Sequence, residues 1–447
     1  MTETIYALAS ALGRAGVAVY RISGPGAGSA VTSITGLALP EPRRVARVVV
    51  SDPDTGEQVD NGLVVWFPAP RSYTGDDVAE FHLHGGAAIR QRFLNLLGRQ
   101  KGLRTAEPGE FTRRAVLAGK LDLTEAEGLI DLIDAETEAQ RRQALLQAQG
   151  ALGRLYDSWR DRLLPCLAHL EAAIDFPDED LPPEAEAVIW PAIRTLISEI
   201  SSHLEDDRRG ERLRDGLRIA IIGPPNVGKS SLLNWLAQRD AAIVSAIAGT
   251  TRDVIEVNLD LGGFPVVLAD TAGIREAQSE IESIGVSRAF DRADTSDLKI
   301  LVLAADDMTA VQAVEDIIDS DTIIVLNKID VRAKGAEDTA MEISERCAGL
   351  FFVSVKNEVG LDKMVVGILD AVSTRISSGN SPAITRQRHR EALHICLDAL
   401  QRSDEAMDVE LGAEDLRIAV RSFGSLTGLV DVEDLLDIIF RDFCIGK

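Results

Sequence analysis

"LRIAIIGPPNVGKSSLLN", residues 217–234, reads as a buried strand, a glycine-rich turn and the start of a helix. Inside it, "GPPNVGKS" (223–230) matches GxxxxGK[ST] in the one context that gives the pattern meaning, between a strand and a helix. Backbone N–H groups of such a turn, added to those of the helix N-terminus, form a nest for phosphate oxygens. Asn226, Val227, Gly228, Lys229, Ser230 and Ser231 are therefore candidate phosphate contacts, with Lys229 directed at β/γ oxygens and the Ser230 hydroxyl at Mg2+. Downstream, apolar runs at 253–260, 264–269, 298–304, 322–327 and 350–354 alternate with helical stretches. Together with 217–222 they predict a mostly parallel, six-stranded α/β sheet.

Short boxes close several of these runs. "DTAG" (Asp270, Thr271, Ala272, Gly273) follows "FPVVLA", so that Asp270 faces the metal through water and the Gly273 amide meets a γ-phosphate. "NKID" ends "TIIVLN" and supplies Asn327, Lys328 and Asp330. The Asp330 carboxylate can accept from guanine N1–H and the 2-amino group, a pattern that adenine does not offer. "SVK" (Ser354, Val355, Lys356) is placed to touch the base, with valine where alanine is more usual. "SAIAGTTRD" contributes Ser245, Ala246, Ile247, Ala248, Gly249, Thr250 and Thr251 as candidate GTP contacts, Thr251 as a second Mg2+ hydroxyl. In this order the boxes define a GTPase domain. Two catalytic parts are missing. Ile274 stands where Ras-like enzymes have a water-orienting glutamine, and no arginine finger is evident, although Arg252 and Arg275 lie nearby. The amide oxygen of Asn226 suits a monovalent cation; ordinary turn chemistry explains an asparagine there equally well.

Working outward, 447 residues exceed one ordinary core. Up to about residue 118, β-rich runs ("GVAVYRIS", "RVARVVV", "GLVVWF") surround a helical stretch, "HGGAAIRQRFLNLLGRQ", and predict an α+β domain. From residue 119 the period becomes helical, and Thr124 with Glu127 has capping-box spacing. "DFPDEDLPPE" interrupts these helices, which resume to residue 213; "SSGNSP" (377–382) links to a further helical stretch, 385–443. The organisation read from this is residues 1–118, an all-α domain made of 119–213 and 380–447, and the α/β block 214–379 inserted within it.

Net charge is −24 overall, yet residues 1–118 carry 13 Lys/Arg against 11 Asp/Glu. That balance excludes a protein that coats nucleic acid electrostatically and leaves room only for local polyanion contact. No apolar run approaches the roughly 18 residues of a membrane span, and "MTETIYALAS" lacks the features of a secretory signal. Cys166, Cys347, Cys396 and Cys444 are scattered, which points to a reducing cytoplasm rather than to disulfides or zinc.

Several stretches resemble the MnmE (TrmE) family of tRNA modification GTPases: "RISGPGA", "WFPAPRSYTGDDVAEFHLHGG", "RTAEPGEFTRRA", "GKLDLTEAEGLIDLIDAET", "EAAIDFPDE", the P-loop with "IVSAIAGTTRDV", and the terminal "FCIGK". The resemblance implies an N-terminal folate-binding domain that also forms a homodimer, a helical domain, and an inserted G domain. It implies K+-dependent hydrolysis, the ion held by Asn226, Ser245, Ile247 and Thr250 in place of an arginine finger, with Glu282 orienting water. Ser245 departs from the usual threonine and Pro224 from the usual basic residue. Arg21, Glu80, Lys120 and Lys447 match positions for a tetrahydrofolate derivative, 5-formyl or methylene. Cys444, in "CIGK", is read either as a buried, inert thiol or as a reactive one. The implied function is installation of a carboxymethylaminomethyl-type group at C5 of wobble uridine 34 of certain tRNAs, with the flavoprotein MnmG (GidA) as partner, since no dinucleotide fingerprint is present here. The alternative is a regulatory, ribosome-associated GTPase switch, which the acidic flanks disfavour.

Overall fold

The computed structural model describes residues 3–175, 183–239, 256–270, 296–307, 314–331, 336–376 and 382–429, with 436, 439, 440, 443 and 446 near the C-terminus; for 183–188, 256, 269 and 270 this extends to the backbone only. The chain divides into two compact units, one of Met1–Ile130, Gln147–Leu164 and Arg417–Lys447, the other of Asp131–Leu146 and Pro165–Leu416.

The first unit holds a six-stranded sheet of β1 (Thr4–Leu8), β2 (Ala18–Ser23), β3 (Val45–Ser51), β4 (Gln58–Phe67), β5 (Val78–Leu83) and β6 (Leu103–Thr105) in the order β3-β4-β5-β2-β1-β6. All pairings are antiparallel except β1 with β6. Period-two alternation sorts its faces. Tyr20, Ile22 and Phe81 point into a core closed by α1 (Ala27–Thr35) and α2 (Ala87–Gly98). Arg21 and Glu80, which are register partners, fall on the other side. There α3 (Glu110–Leu117) buries Phe111 beside Ile5, Ala7 and Tyr73.

Helix α4 (Leu123–Asp134) begins where the helical period begins, but its cap is not the expected one. Asp122 Oδ1 accepts from the Glu125 amide at 2.8 Å, and Glu125 Oε2 accepts from the Asp122 amide at 2.9 Å. The box is thus Asp122/Glu125, while Thr124 and Glu127 are buried one face round. Leu436, Phe440 and Phe443 pack on Val116, Leu123 and Ala126.

Helices α5 (Glu138–Ala148) and α6 (Ala151–Asp175) are each divided between the two units, and α7 (Pro183–Leu204) and α8 (Arg209–Asp215), wholly in the second, lead into the α/β block. Its strands are β7 (Leu217–Ile222), β8 (Glu256–Leu261), β9 (Phe264–Asp270), β10 (Leu298–Ala304), β11 (Thr322–Asn327) and β12 (Gly349–Phe352), in the order β12-β11-β10-β7-β9-β8. Only β8 with β9 is antiparallel. The central strands β10 and β11 are buried along their whole length, which explains their unbroken apolar runs. Helices α9 (Lys229–Arg239) and α11 (Leu361–Ile376) cover one face, and α10 (Ala336–Ile343) the other. Beyond the block, α12 (Gln387–Glu405) packs along α7, and α13 (Val409–Thr427) follows. Chain order reverses at β7, between β9 and β10, and the loop after β7 therefore opens at the crevice where α/β sheets bind ligands.

Candidate functional site

The P-loop occupies that crevice. Gly223 and Gly228 have φ of +142° and +102°, and a Cβ on either would collide with Val302 O or Asn327 Nδ2 respectively. Asn226, exposed at the tip, is left-handed with φ +63°. Lys229 opens α9 and donates through Nζ to the carbonyls of Gly223 (2.8 Å) and Pro224 (2.7 Å), which fold it over its own loop. These are weak acceptors beside a polyphosphate, so the ammonium group is held close to where phosphate oxygens would compete for it. Ser230 and Ser231 are exposed on the first turn of α9.

The base side is assembled around Asn327, 4% exposed at the end of β11. Its Nδ2 donates to Val227 O of the P-loop at 2.8 Å, and its Oδ1 accepts from the Val355 amide at 3.1 Å. One buried amide thus ties the phosphate loop to the SVK loop. Beside it, Ser354 Oγ donates to Asp330 Oδ1 at 2.6 Å, and Ser354 Oγ accepts from the Asn357 amide. The Ser354 hydroxyl holds the Asp330 carboxyl below the usual carboxylate range, so it is ionised at neutral pH and stands as an acceptor. Lys328, left-handed at φ +62°, pairs with Asp306 at 3.0 Å.

A second cluster lies on the polar face of the first unit's sheet. Arg21 Nε meets Glu80 Oε1 at 2.9 Å, and the guanidinium sits 5.1 Å from the Tyr73 ring centroid and 5.6 Å from that of Phe111. The Tyr73 and Thr112 hydroxyls share a hydrogen bond of 2.8 Å, and burial pushes the Tyr73 phenol up. Lys120 is exposed, its Cε near Gly75. Gly446, at φ +105°, lies so close to Leu8 O that a Cβ would collide with it. This sets Gly446 against β1, the strand whose Ala7 pairs with Arg21 of β2.

The comparisons with known proteins cover the whole chain. The family model described as "MnmE helical domain" matches residues 123–444, and "GTP-binding protein TrmE N-terminus" matches residues 4–120. The chain is 53% identical to the "tRNA modification GTPase MnmE" of Paramagnetospirillum magneticum, covering 100% of both chains. It is 52% identical to that of Parvibaculum lavamentivorans, again over 100% of both, and 50% identical to that of Rhodospirillum rubrum, over 100% of this chain and 99% of the relative. This chain belongs to the MnmE family.

Among the family's expected positions, the structure brings Arg21 to Glu80, and Asn327 to the P-loop and to Val355. Ser245, Ala246, Ile247, Ala248, Gly249, Thr250, Thr251, Thr271, Ala272, Gly273, Glu282, Cys444 and Lys447 lie outside the described residues, as do Arg252, Ile274 and Arg275; Asp270 is described only as the last residue of β9. Sequence reading missed Tyr73 and Phe111, which come to Arg21 from two separate segments, and Thr112, whose hydroxyl meets that of Tyr73. "RSYTG" reads as a turn and "GEFTRRA" as a helix start, and neither pattern points at a distant arginine. No helix among the described residues is long and apolar enough to cross a membrane.

Proposed function

We propose that the chain hydrolyses GTP in a K+-dependent way and, with the flavoprotein MnmG, uses that hydrolysis to install a carboxymethylaminomethyl-type group at C5 of the wobble uridine of certain tRNAs. The observation that carries this reading is the assembled guanine side, Asn327 joining Val227 to Val355 beside an ionised Asp330, in a chain that is similar end to end to proteins named tRNA modification GTPase. The proposed organisation is the one read from the sequence, a G domain of 214–379 inserted in a helical domain after an N-terminal domain that forms the homodimer.

In this reading Lys229 leaves the carbonyls of Gly223 and Pro224 for the phosphates, and Asp330 accepts from the guanine edge. Ser230 and Thr251 would hold Mg2+, and Asn226, Ser245, Ile247 and Thr250 would hold K+; Ser230 and Asn226 are exposed, and hydroxyl, amide and backbone carbonyl oxygens are hard donors that fit both ions. The two cations supply positive charge against the charge that develops on the phosphates. Glu282 aligns the attacking water.

For the folate, the Arg21–Glu80 pair between aromatic walls fits a flat ring with a guanidine-like donor edge. Glu80 would accept from that edge, while Arg21, Lys120 and Lys447 would meet its carbonyl or glutamate tail. Bound there, a tetrahydrofolate derivative supplies a one-carbon unit. Gly446 lies against Leu8, and its sequence neighbours Cys444 and Lys447 are proposed to act with this site.

Nucleoside mass spectrometry of tRNA from a deletion strain tests the reading. The wobble modification is expected to vanish, to return with this chain, and to stay absent with Lys229→Ala. A strain whose tRNA keeps the modification would defeat it.

A further inference from the structure

Helix α8 has only seven residues and one buried apolar side chain, Leu213, so its packing alone fixes little. Its polar contacts are another matter. Toward the sheet, Arg212 Nε meets Asp297 Oδ1 at 2.8 Å. The other Asp297 oxygen accepts from the Arg218 amide at 3.0 Å, and the Asp297 amide donates to Arg218 O at 2.9 Å. Asp297 immediately precedes β10 and, in sequence, closes the stretch that follows DTAG and contains Glu282; Arg218 belongs to β7, which runs into the P-loop. Toward the helices, Glu211 Oε1 meets Arg390 Nε at 3.2 Å and Glu211 Oε2 meets Arg208 Nε at 2.5 Å. Arg214 and Arg386 share Asp131 Oδ1 at 3.1 and 2.7 Å. Gln140 and Gln143 donate to the carbonyls of Arg214 and Gly210 at 3.0 and 3.2 Å.

Helix α8 is therefore held on one side, through Arg212, by a group tied to the nucleotide-bearing strands and on the other by α4, α5 and α12. These groups are withdrawn from water: Arg212 and Asp297 are 23% and 22% exposed, Arg390 and Glu211 11% and 7%. Half-buried ion pairs add little net stability over apolar packing, but their geometry is narrow, so they fix direction where greasy contacts would slide.

We propose that α8 is the coupling element through which nucleotide state reaches the helical segments, with Arg212–Asp297 as its grip on the sheet and Glu211–Arg390 as its grip on the helices. The proposal rests on the reading that hydrolysis drives tRNA modification. A change in the backbone leading to Asp297 moves Arg212, and the rigid short helix hands the displacement to Arg390 and Asp131.

The test uses full-length Arg212→Gln, Arg390→Gln, the pair together, and Arg212→Lys. GTP turnover is measured on purified protein, and the modified wobble nucleoside on tRNA from the complemented deletion strain. Either glutamine variant is expected to keep turnover within about twofold while modification falls about tenfold, the scale of an ordinary coupling energy. Because the links act in series, the double variant is no worse than either single one, and Arg212→Lys recovers most of the loss. Turnover falling in step with modification, or losses that multiply in the double variant, would make α8 a purely structural joint and overturn the proposal. Full modification in Arg212→Gln beside a competent wild type overturns it alone; a wild type that restores nothing removes the reading beneath it as well.

Discussion

At the scale of single residues, Asn327 and Asp330 divide the base side between them. Asn327 uses both ends of its amide on backbone groups, so it builds the site, whereas Asp330 keeps one oxygen on Ser354 and offers the rest of its carboxylate outward. Asp330→Asn replaces an acceptor with a donor facing the guanine 2-amino group. GTP affinity is expected to drop by about 2–4 kcal/mol, while xanthosine triphosphate, which carries an oxygen at that position, gains; equilibrium titration with the two nucleotides checks it. Gly228→Ala meets Asn327 Nδ2 and a φ of +102°, and strain of about 1–3 kcal/mol is expected to abolish tight GTP binding before it unfolds the chain. Calorimetric titration beside a thermal melt separates the two effects. Asn327 and Asp330 were legible in "NKID" because the box fixes residue types at fixed offsets after a strand. The Asn327–Val227 bond was not, since it joins residues 100 positions apart.

At the scale of elements, periodicity located the strands well and the helix caps less well. The runs at 217–222, 298–304 and 322–327 coincide with β7, β10 and β11, since strands buried on both faces leave no ambiguity. The run at 350–354 proved to be Gly349–Phe352, because Ser354 turns into the site. The cap of α4 went to Asp122 and Glu125 because two overlapping frames both fit the pattern. Hydrogen bonds decide between them: Asp122 and Glu125 exchange bonds with each other's amides, and the Thr124 hydroxyl donates to Asp122 Oδ1 at 2.7 Å. Asp122→Ala is accordingly expected to cost about 1 kcal/mol in a urea titration. An equal cost from a Glu127→Gln change with no cost at Asp122 would restore the other frame.

At the scale of the whole molecule, charge and composition excluded more than they identified, and the motifs and full-length likeness carried the rest. The folate-side residues show the limit. Arg21 and Glu80 were legible only through family likeness, and the aromatic walls around them only in three dimensions. The missing arginine finger belongs to this scale too, because the ion proposed to replace it would draw on Asn226 of the P-loop and on the separate 245–250 stretch. Exchange of K+ for Na+ is expected to slow turnover on the order of a hundredfold, the worth of one lost electrostatic donor, with GTP affinity little changed. Steady-state hydrolysis in matched salts, with binding measured alongside, reads both quantities.

The central claim is that this nucleotide site powers the tRNA chemistry. It is tested most directly by supplying Asp330→Asn, with the flavoprotein, tRNA and a tetrahydrofolate donor, with either GTP or xanthosine triphosphate and measuring the modified wobble nucleoside. The account predicts modification with xanthosine triphosphate and little or none with GTP. Xanthosine triphosphate hydrolysed while the tRNA stays unmodified, or GTP driving the variant at the wild-type rate, would contradict it.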